Sequence, residues 1–513
     1  MVTKIFIFEP YRKKSLLCPS KKNNLNPLAV LGIIIIYFVL LMVISYFTSK
    51  GRSDESYFTG DRQSPWFLVA FGMVGAALSG VTFVSLPGMV GNNYFYFYQF
   101  ILGNIVGYFF ITFVLIPLYF KLRLVSIYGY LKERFGVKSY KTGSLFFLVS
   151  QSFGAALRLL LATKILQFAL FDQLNIPFFI TVIIILILVW LYTHKSGIKT
   201  IVWTDTLQTT FLILGAVITI ISIINSLNIS FTESVTEIIN HKYFDIFDWD
   251  KDSGNNFYKQ FIAGILVSIA MIGLDQNMMQ KTLTCKNQWD AQKNTLTYSL
   301  ILALTQFLFL GLGVLLYIYA EEKGINLPID AAGNLINTDT LFPNLALNYL
   351  GSFAGVCFLL GIIAASFSSV DSSLTALTTS FTYDFLDISH KTSQERKKLK
   401  NWVLLGFSIV IFIIVMMFSN SKGDVISLIF KVAGYTYGPL LGLYMFGMFT
   451  KVSVIDKWIP IICLASPVLT YVLSDFLLTT YKFDFGFVNI AVNAIITILG
   501  LLLVRTKSDI KAA

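Results

Sequence analysis

Charge is what this chain has least of. Asp, Glu, Lys and Arg make up 13% of its 513 residues, about half of the roughly 25% usual in soluble domains. A water-soluble globular fold is excluded on that ground. Histidine is nearly absent too: His194, His241 and His390 fall in separate predicted loops, which leaves no His-based triad and no transition-metal centre. The four cysteines, Cys18, Cys285, Cys357 and Cys463, show no paired spacing, so no disulfide framework is implied. No nucleophile–base pair stands out, which makes an enzyme the least supported function class and predicts a chain without an organic cofactor.

What is present is apolar. Hydrophobic residues make up 56%, with 47 Phe and 25 Tyr, and the mean hydropathy is +0.72. The apolar runs are about 20 residues long, the length of a bilayer-crossing helix, and lack the alternation of barrel strands. In lipid, the backbone is satisfied only by helices or closed barrels. The expected fold class is therefore all-α, integral to the membrane, with about thirteen spans: 27–48, 66–90, 95–120, 143–171, 176–193, 201–225, 257–280, 295–319, 350–380, 402–420, 424–449, 457–478 and 485–504. Residues 1–26 read as a polar, basic N-terminal tail, and 27–513 as a single transmembrane domain. The stretch after the tail is too long for a signal-peptide core and lacks a small-residue cleavage site.

The net charge of +11 invites a nucleic-acid reading, but the cations sit in short loops between spans. Loops 49–65, 121–142, 194–200, 281–294, 384–401, 450–457 and 505–513 hold 24 Lys and Arg, while the alternate side holds six, counting Lys259 at the start of the 257–280 span. Basic residues gather on the cytoplasmic side of membrane proteins. The expectation is a multi-pass protein of the plasma membrane, the inner membrane of a bacterium, with a cytoplasmic C-terminus and no nucleic-acid partner.

Two spans are interrupted by glycine and polar residues at mid-depth. The first reads GMVGAALSGVTFVSLPG from Gly72 to Gly88, and the second ends in MIGLDQNMMQK from Met271 to Lys281. Broken helices at matching positions of two halves point to a midplane binding site in transporters; close packing through small residues is the other reading. A later span, LLGIIAASFSSVDSSLTALTT from Leu359 to Thr379, carries a hydroxyl stripe. Ala365, Ser368, Ser369 and Ser372 fall at i, i+3, i+4 and i+7 and share one helical face. Asp371 lies beside them, and an intramembrane carboxylate marks a functional site by default. Hard cations such as Na⁺ take oxygen ligands, so the stripe suits one; helix–helix hydrogen bonds or back-bonding to carbonyls one turn away are the structural reading of the same serines. Arg158, mid-helix within LVSQSFGAALRLLLATKILQF (148–168), must face protein or a water-filled cavity, and its planar fork suits a carboxylate. Internal pairing with Asp275 or Asp371 is the alternative.

At these residues the chain resembles the sodium:solute symporter family. The blocks YFTGDRQSPW (57–66), LSGVTFVSLPG (78–88), SIYGYLKERFG (126–136), IVWTDTLQ (201–208), LDQNMMQKTLTCKN (274–287) and AASFSSVDSSLTALTTSFTYDF (364–385) follow the family's order. The resemblance implies a LeuT-type five-plus-five inverted repeat with extra terminal helices, its core repeats near 66–225 and 257–449. It implies a sodium site formed by the carbonyls of Gly75, Leu78 and Ala365 with the hydroxyls of Ser368 and Ser369. A second cation site of some members implicates Asp205, Ser368 and Ser372, and Asp371 stands where that site often has a serine. The solute pocket implied by position takes in Ser79, Thr82, Gln99, Asp275, Gln276 and Lys431. Sialic-acid-transporting members place an arginine on the helix of Arg158 for the substrate carboxylate.

The activity so implied is Na⁺-coupled import of a small organic solute by alternating access, with Na⁺ as the coupling ion and a carboxylate-bearing solute such as a sialic acid as the leading candidate. A proton-coupled or passive carrier of a neutral sugar or amino acid is the alternative. A potential of 100 mV supplies about 2.3 kcal/mol per charge, and a tenfold gradient about 1.4 kcal/mol. One Na⁺ then suffices for a neutral solute, whereas an anion, moving against the potential, favours two.

Overall fold

The computed structural model describes residues 27–49, 60–193, 197–251, 253–330, 335–388, 391–420 and 425–506. The basic tail expected over 1–26, the start of the 57–66 block, Cys18, His194 and His390 lie outside the described residues. The described chain is helical, with only isolated bridges and no strand. In chain order the long helices are α1 (Pro27–Ser49), α2 (Trp66–Ala77), α3 (Gly80–Asn93), α4 (Phe97–Lys121), α5 (Val137–Phe171), α6 (Phe178–Thr193), α7 (Ile198–Leu227), α8 (Phe257–Gly273), α9 (Gln276–Thr282), α10 (Gln288–Glu322), α11 (Ser352–Phe385), α12 (Ser393–Phe418), α13 (Val425–Phe449), α14 (Asp456–Tyr481) and α15 (Gly486–Leu503).

Ten of these are continuous helices long and apolar enough to cross a bilayer, and two bent pairs bring the number to 12. The span expected at 176–193 is α6, whose 16 residues reach about 24 Å at 1.5 Å per residue, short of a hydrocarbon core of about 30 Å. By length and composition, then, the described residues hold ten to twelve candidate spans, and α6 is a shorter apolar helix on which the expected thirteenth depends.

Both interrupted spans are bent. The axis turns by 60° between α2 and α3 and by 68° between α8 and α9. At the first break Leu78 leaves helical geometry and Ser79 is extended; the Ser79 N–H turns back to the Ala77 carbonyl at 3.0 Å. The last carbonyls of α2 thereby lose their donors one turn on. At the second break a π turn, Ile269–Gly273, leads into an extended Asp275. Its carboxylate accepts from the Met278 N–H at 3.1 Å and caps α9, satisfying an otherwise orphaned donor.

The serine-striped apolar helix α11 is packed against α7 and α5 and buried along most of its length. Outside the spans, the helix Phe231–Asn240 opens with a capping box between Ser230 and Glu233. The Ser230 backbone N–H holds the Glu233 carboxyl below the usual range.

Candidate cation and solute sites

The serines of α11 divide by what they bond. Ser366 and Ser373 donate back to the carbonyls of Ile362 and Ser369 at 2.6 Å each, the ordinary fate of a hydroxyl inside an apolar helix. Ser368 and Ser369 do otherwise. Ser368 Oγ donates to Asp205 Oδ1 on α7 at 2.5 Å, and Ser369 Oγ stands 3.5 Å from the Ala76 carbonyl at the end of α2. Both are buried, as is Ala365. The hydroxyl stripe thus meets the broken end of α2, next to the Gly75 and Leu78 carbonyls. Carbonyl dipoles without helical donors and two buried hydroxyls are the kind of oxygens a small hard cation takes, which makes this a candidate cation cage. Because Ser368 gives its hydrogen to Asp205, its lone pairs remain available to such an ion.

Gly75 is what lets α2 approach α7. A Cβ there would run into Thr209 Oγ1 and stand 3.2 Å from the Asp205 carbonyl. That hydroxyl is itself fixed, donating to the carbonyls of Asp205 at 2.7 Å and Phe71 at 3.1 Å.

The second group of expected cation ligands holds a residue that the sequence does not single out. Lys281, at the end of α9, is 1% exposed, and its Nζ lies 2.7 Å from Asp205 Oδ2 and 2.9 Å from Ser372 Oγ. The span bounds expected from the sequence make it a cation of loop 281–294; in the structure it is an interior one. Asp371, wholly buried, accepts from Tyr192 OH on α6 at 2.8 Å and from the Ser372 N–H at 2.5 Å.

A small cavity, partly open to solvent, lies between α5, the second break and α13. Arg158, Gln151 and Ser150 line it from α5, Asp275 and Asn277 from the break, and Tyr437 from α13. Among the described residues no carboxylate lies within 4.0 Å of the Arg158 guanidinium, and Asp275 is the carboxylate that shares its cavity. Asp275 is committed: besides capping α9 it accepts from Tyr437 OH at 2.5 Å. Asn277 is 2% exposed, and its Oδ1 has no partner among the described residues. Nothing in its sequence context distinguishes it from its polar neighbours. Two hydrogen bonds join this cavity to the cation cage: Gln151 Nε2 donates to Ser373 Oγ at 2.9 Å, and Ser373 donates to the Ser369 carbonyl.

The remaining solute candidates stand away from this cavity. Gln276 holds the backbone of 125–127, accepting from the Ile127 N–H and donating to the Val125 carbonyl at 2.9 Å each. Gln99 binds loop backbone, donating to the Asn255 carbonyl at 2.9 Å and accepting from the Asp248 N–H at 3.1 Å. Lys431 is exposed, on the face of α13 turned away from the cavity-lining Ile429, Val432 and Ala433. Ser79 and Thr82 flank the first break, outside the cavity lining.

Comparison with known proteins bears on this geometry. A sequence model of the sodium:solute symporter family matches residues 57–453. The sodium/sialic acid symporter NanT of Aliivibrio fischeri is 25% identical over 427 residues, covering 81% of this chain and 82% of that one. The sodium/sialic acid symporter SiaT of Proteus mirabilis is 24% identical over 421 residues, covering 80% and 82%. A solved structure of a Na⁺-coupled sialic acid symporter, substrate-bound and outward-open, superposes with a TM-score of 0.77 at 21% identity, covering 92% of this chain and 97% of that one.

Proposed function

The chain belongs to the sodium:solute symporter family, with its LeuT-type fold, and from that premise we propose that the solute it imports with Na⁺ bears a carboxylate held by Arg158. It is a multi-pass membrane protein of a family of transporters. The observation that carries the solute reading is a guanidinium lining a cavity with no carboxylate of the described residues within ion-pair distance. A buried or half-buried Arg finds an anionic partner wherever it can, and here the solute is that partner. Two relatives named as sialic acid symporters support a sialic acid as the solute.

In this reading Na⁺ binds first, held by the carbonyls of Gly75, Leu78 and Ala365 and the hydroxyls of Ser368 and Ser369. It bridges α2 to α11 and so stabilises one arrangement of the broken helix. The Gln151–Ser373–Ser369 hydrogen bonds then connect the ion's cage to the wall of the solute cavity, where Asn277 offers an unpaired acceptor to a hydroxyl or amide N–H. The loop charges support a cytoplasmic C-terminus, and the bacterial relatives support residence in a bacterial inner membrane.

The test is uptake of labelled N-acetylneuraminic acid, a short monocarboxylate, proline and galactose into proteoliposomes, with and without inward Na⁺. Arg158→Gln should weaken uptake of the acidic solute about 100-fold, the size of a lost charged hydrogen bond of roughly 1.5–3 kcal/mol. Ser369→Ala should raise the Na⁺ needed at least about tenfold, or about 1.4 kcal/mol. Sodium-independent uptake untouched by Ser369→Ala, or transport of galactose alone, would leave the proton-coupled or passive carrier of a neutral solute.

A further inference from the structure

Lys281 brings an ammonium to the place where the oxygens of α7 and α11 converge. Asp205 Oδ2 lies 2.7 Å from its Nζ and Ser372 Oγ lies 2.9 Å away; the other carboxylate oxygen is held by Ser368 at 2.5 Å. One carboxylate and two hydroxyls from two packed helices are the ligands a second small cation would use. We propose that the Lys281 ammonium is a tethered cation seated where a second transported Na⁺ would otherwise bind, so that this protein carries one Na⁺ per solute. The inference rests on the reading of the chain as a Na⁺ symporter and adds its stoichiometry.

Three physical points carry it. An ammonium is a compact, strongly hydrated point charge with three donors and no acceptor, so it competes with Na⁺ for the same oxygens. It is delivered by the last turn of a buried helix, with Asp205 wholly buried beside it, so it does not leave with the solute. A mobile cation at these oxygens would find the Asp205 charge already compensated and both carboxylate oxygens engaged, by Lys281 and by Ser368. Ser368 turns its hydrogen toward Asp205, whereas Ser369 faces the Ala76 carbonyl of α2, which leaves that second set of oxygens to the one transported ion.

The stoichiometry has an electrical consequence. One Na⁺ moving with a monoanion carries no net charge, so a membrane potential does no work on the cycle. Two Na⁺ with the same monoanion would carry one positive charge.

Equilibrium binding of ²²Na⁺ to the purified full-length protein tests the count without any solute. The expected result is one ion per wild-type chain and two per Lys281→Gln chain, because the glutamine frees the Asp205 carboxylate. The thermal midpoint of Lys281→Gln should also climb more steeply with Na⁺ than that of wild type, since bound ions stabilise by mass action. In proteoliposomes, wild-type uptake of N-acetylneuraminate should not change when an inside-negative potassium diffusion potential is imposed. Two ions per wild-type chain, or potential-driven uptake by wild type, overturns the proposal, and so does a folded Lys281→Gln that binds one ion. If Lys281→Gln does not fold, the two wild-type readings decide alone. A wild type that binds no Na⁺ overturns the symport reading itself, a result distinct from either count.

Discussion

The two broken helices bend by similar angles, 60° and 68°, yet they are built from opposite materials. The first is interrupted by alanine, leucine, serine and glycine, carries no charge, and leaves backbone carbonyls as its functional groups. The second is interrupted at an aspartate that caps the following helix, and that helix ends in a lysine paired across the core. Both reach α7: the first by shape, through Gly75 against Thr209, and the second by charge, through Lys281 on Asp205. A break made of backbone can bind and release an ion without leaving a side chain unpaired. A break made of charges holds its own cation and cannot let go of it cheaply.

The largest effect should follow from removing the charge that holds the second break. Asp205→Asn leaves a buried ammonium beside an amide, and breaking a buried pair by one partner costs about 3–5 kcal/mol. The detergent-solubilised variant should show a strongly lowered thermal midpoint. Combining it with Lys281→Met, which removes the orphaned charge at similar volume, should recover most of the loss. Ser369→Ala at the first break should leave the Na⁺-free midpoint nearly unchanged and remove the rise that Na⁺ gives the wild type. Equal loss of Na⁺-free stability in Asp205→Asn and Ser369→Ala would break the contrast between the two.

Shape at the first break comes next. Gly75→Ala forces a methyl against Thr209 Oγ1, which is already bonded to two carbonyls. Overpacking of this kind costs about 1–3 kcal/mol, and it should weaken Na⁺ binding as well by pushing α2 off α7. Gly406 on α12 faces open space, with no atom within 4 Å of where a methyl would stand, so Gly406→Ala should stabilise by roughly 0.4–1 kcal/mol through the unfolded chain. A Gly75→Ala variant as stable as Gly406→Ala would show that the close approach is not what seats the broken helix.

The contrast also explains what the sequence discloses. Long apolar runs and mid-depth glycines make the helices and both breaks legible, because length and hydropathy are local properties. The serines of α11 are legible as a stripe because helical period puts them on one face. Whether Ser368 back-bonds or reaches α7 depends on the neighbouring helix, which periodicity does not contain. Lys281 escapes because it stands at the margin of an apolar run, where a cation looks like a loop residue; the available signal is Asp205, an intramembrane carboxylate in need of a partner. Gln99 and Gln276 mislead in the other direction. Polar residues beside irregular backbone are as useful for tying down loops as for binding a solute, and their type does not say which.

The smallest effect should come from Asp275, where the second break meets the solute cavity. Asp275→Ala removes the cap on α9 and should cost about 1 kcal/mol. Asp275→Asn keeps an oxygen for the Met278 N–H, and asparagine caps about as well as aspartate, so it should cost less stability than Asp275→Ala. The two variants therefore separate the cap from the charge. Asp275 lines the same cavity as Arg158, and its negative charge opposes an anionic solute. Asp275→Asn should accordingly lower the KM for N-acetylneuraminate severalfold while leaving the Na⁺ dependence in place. A raised KM would mean that the carboxylate itself receives a hydroxyl or ammonium of the solute, and the second break would then bind the solute with its charge as well as hold its own helix.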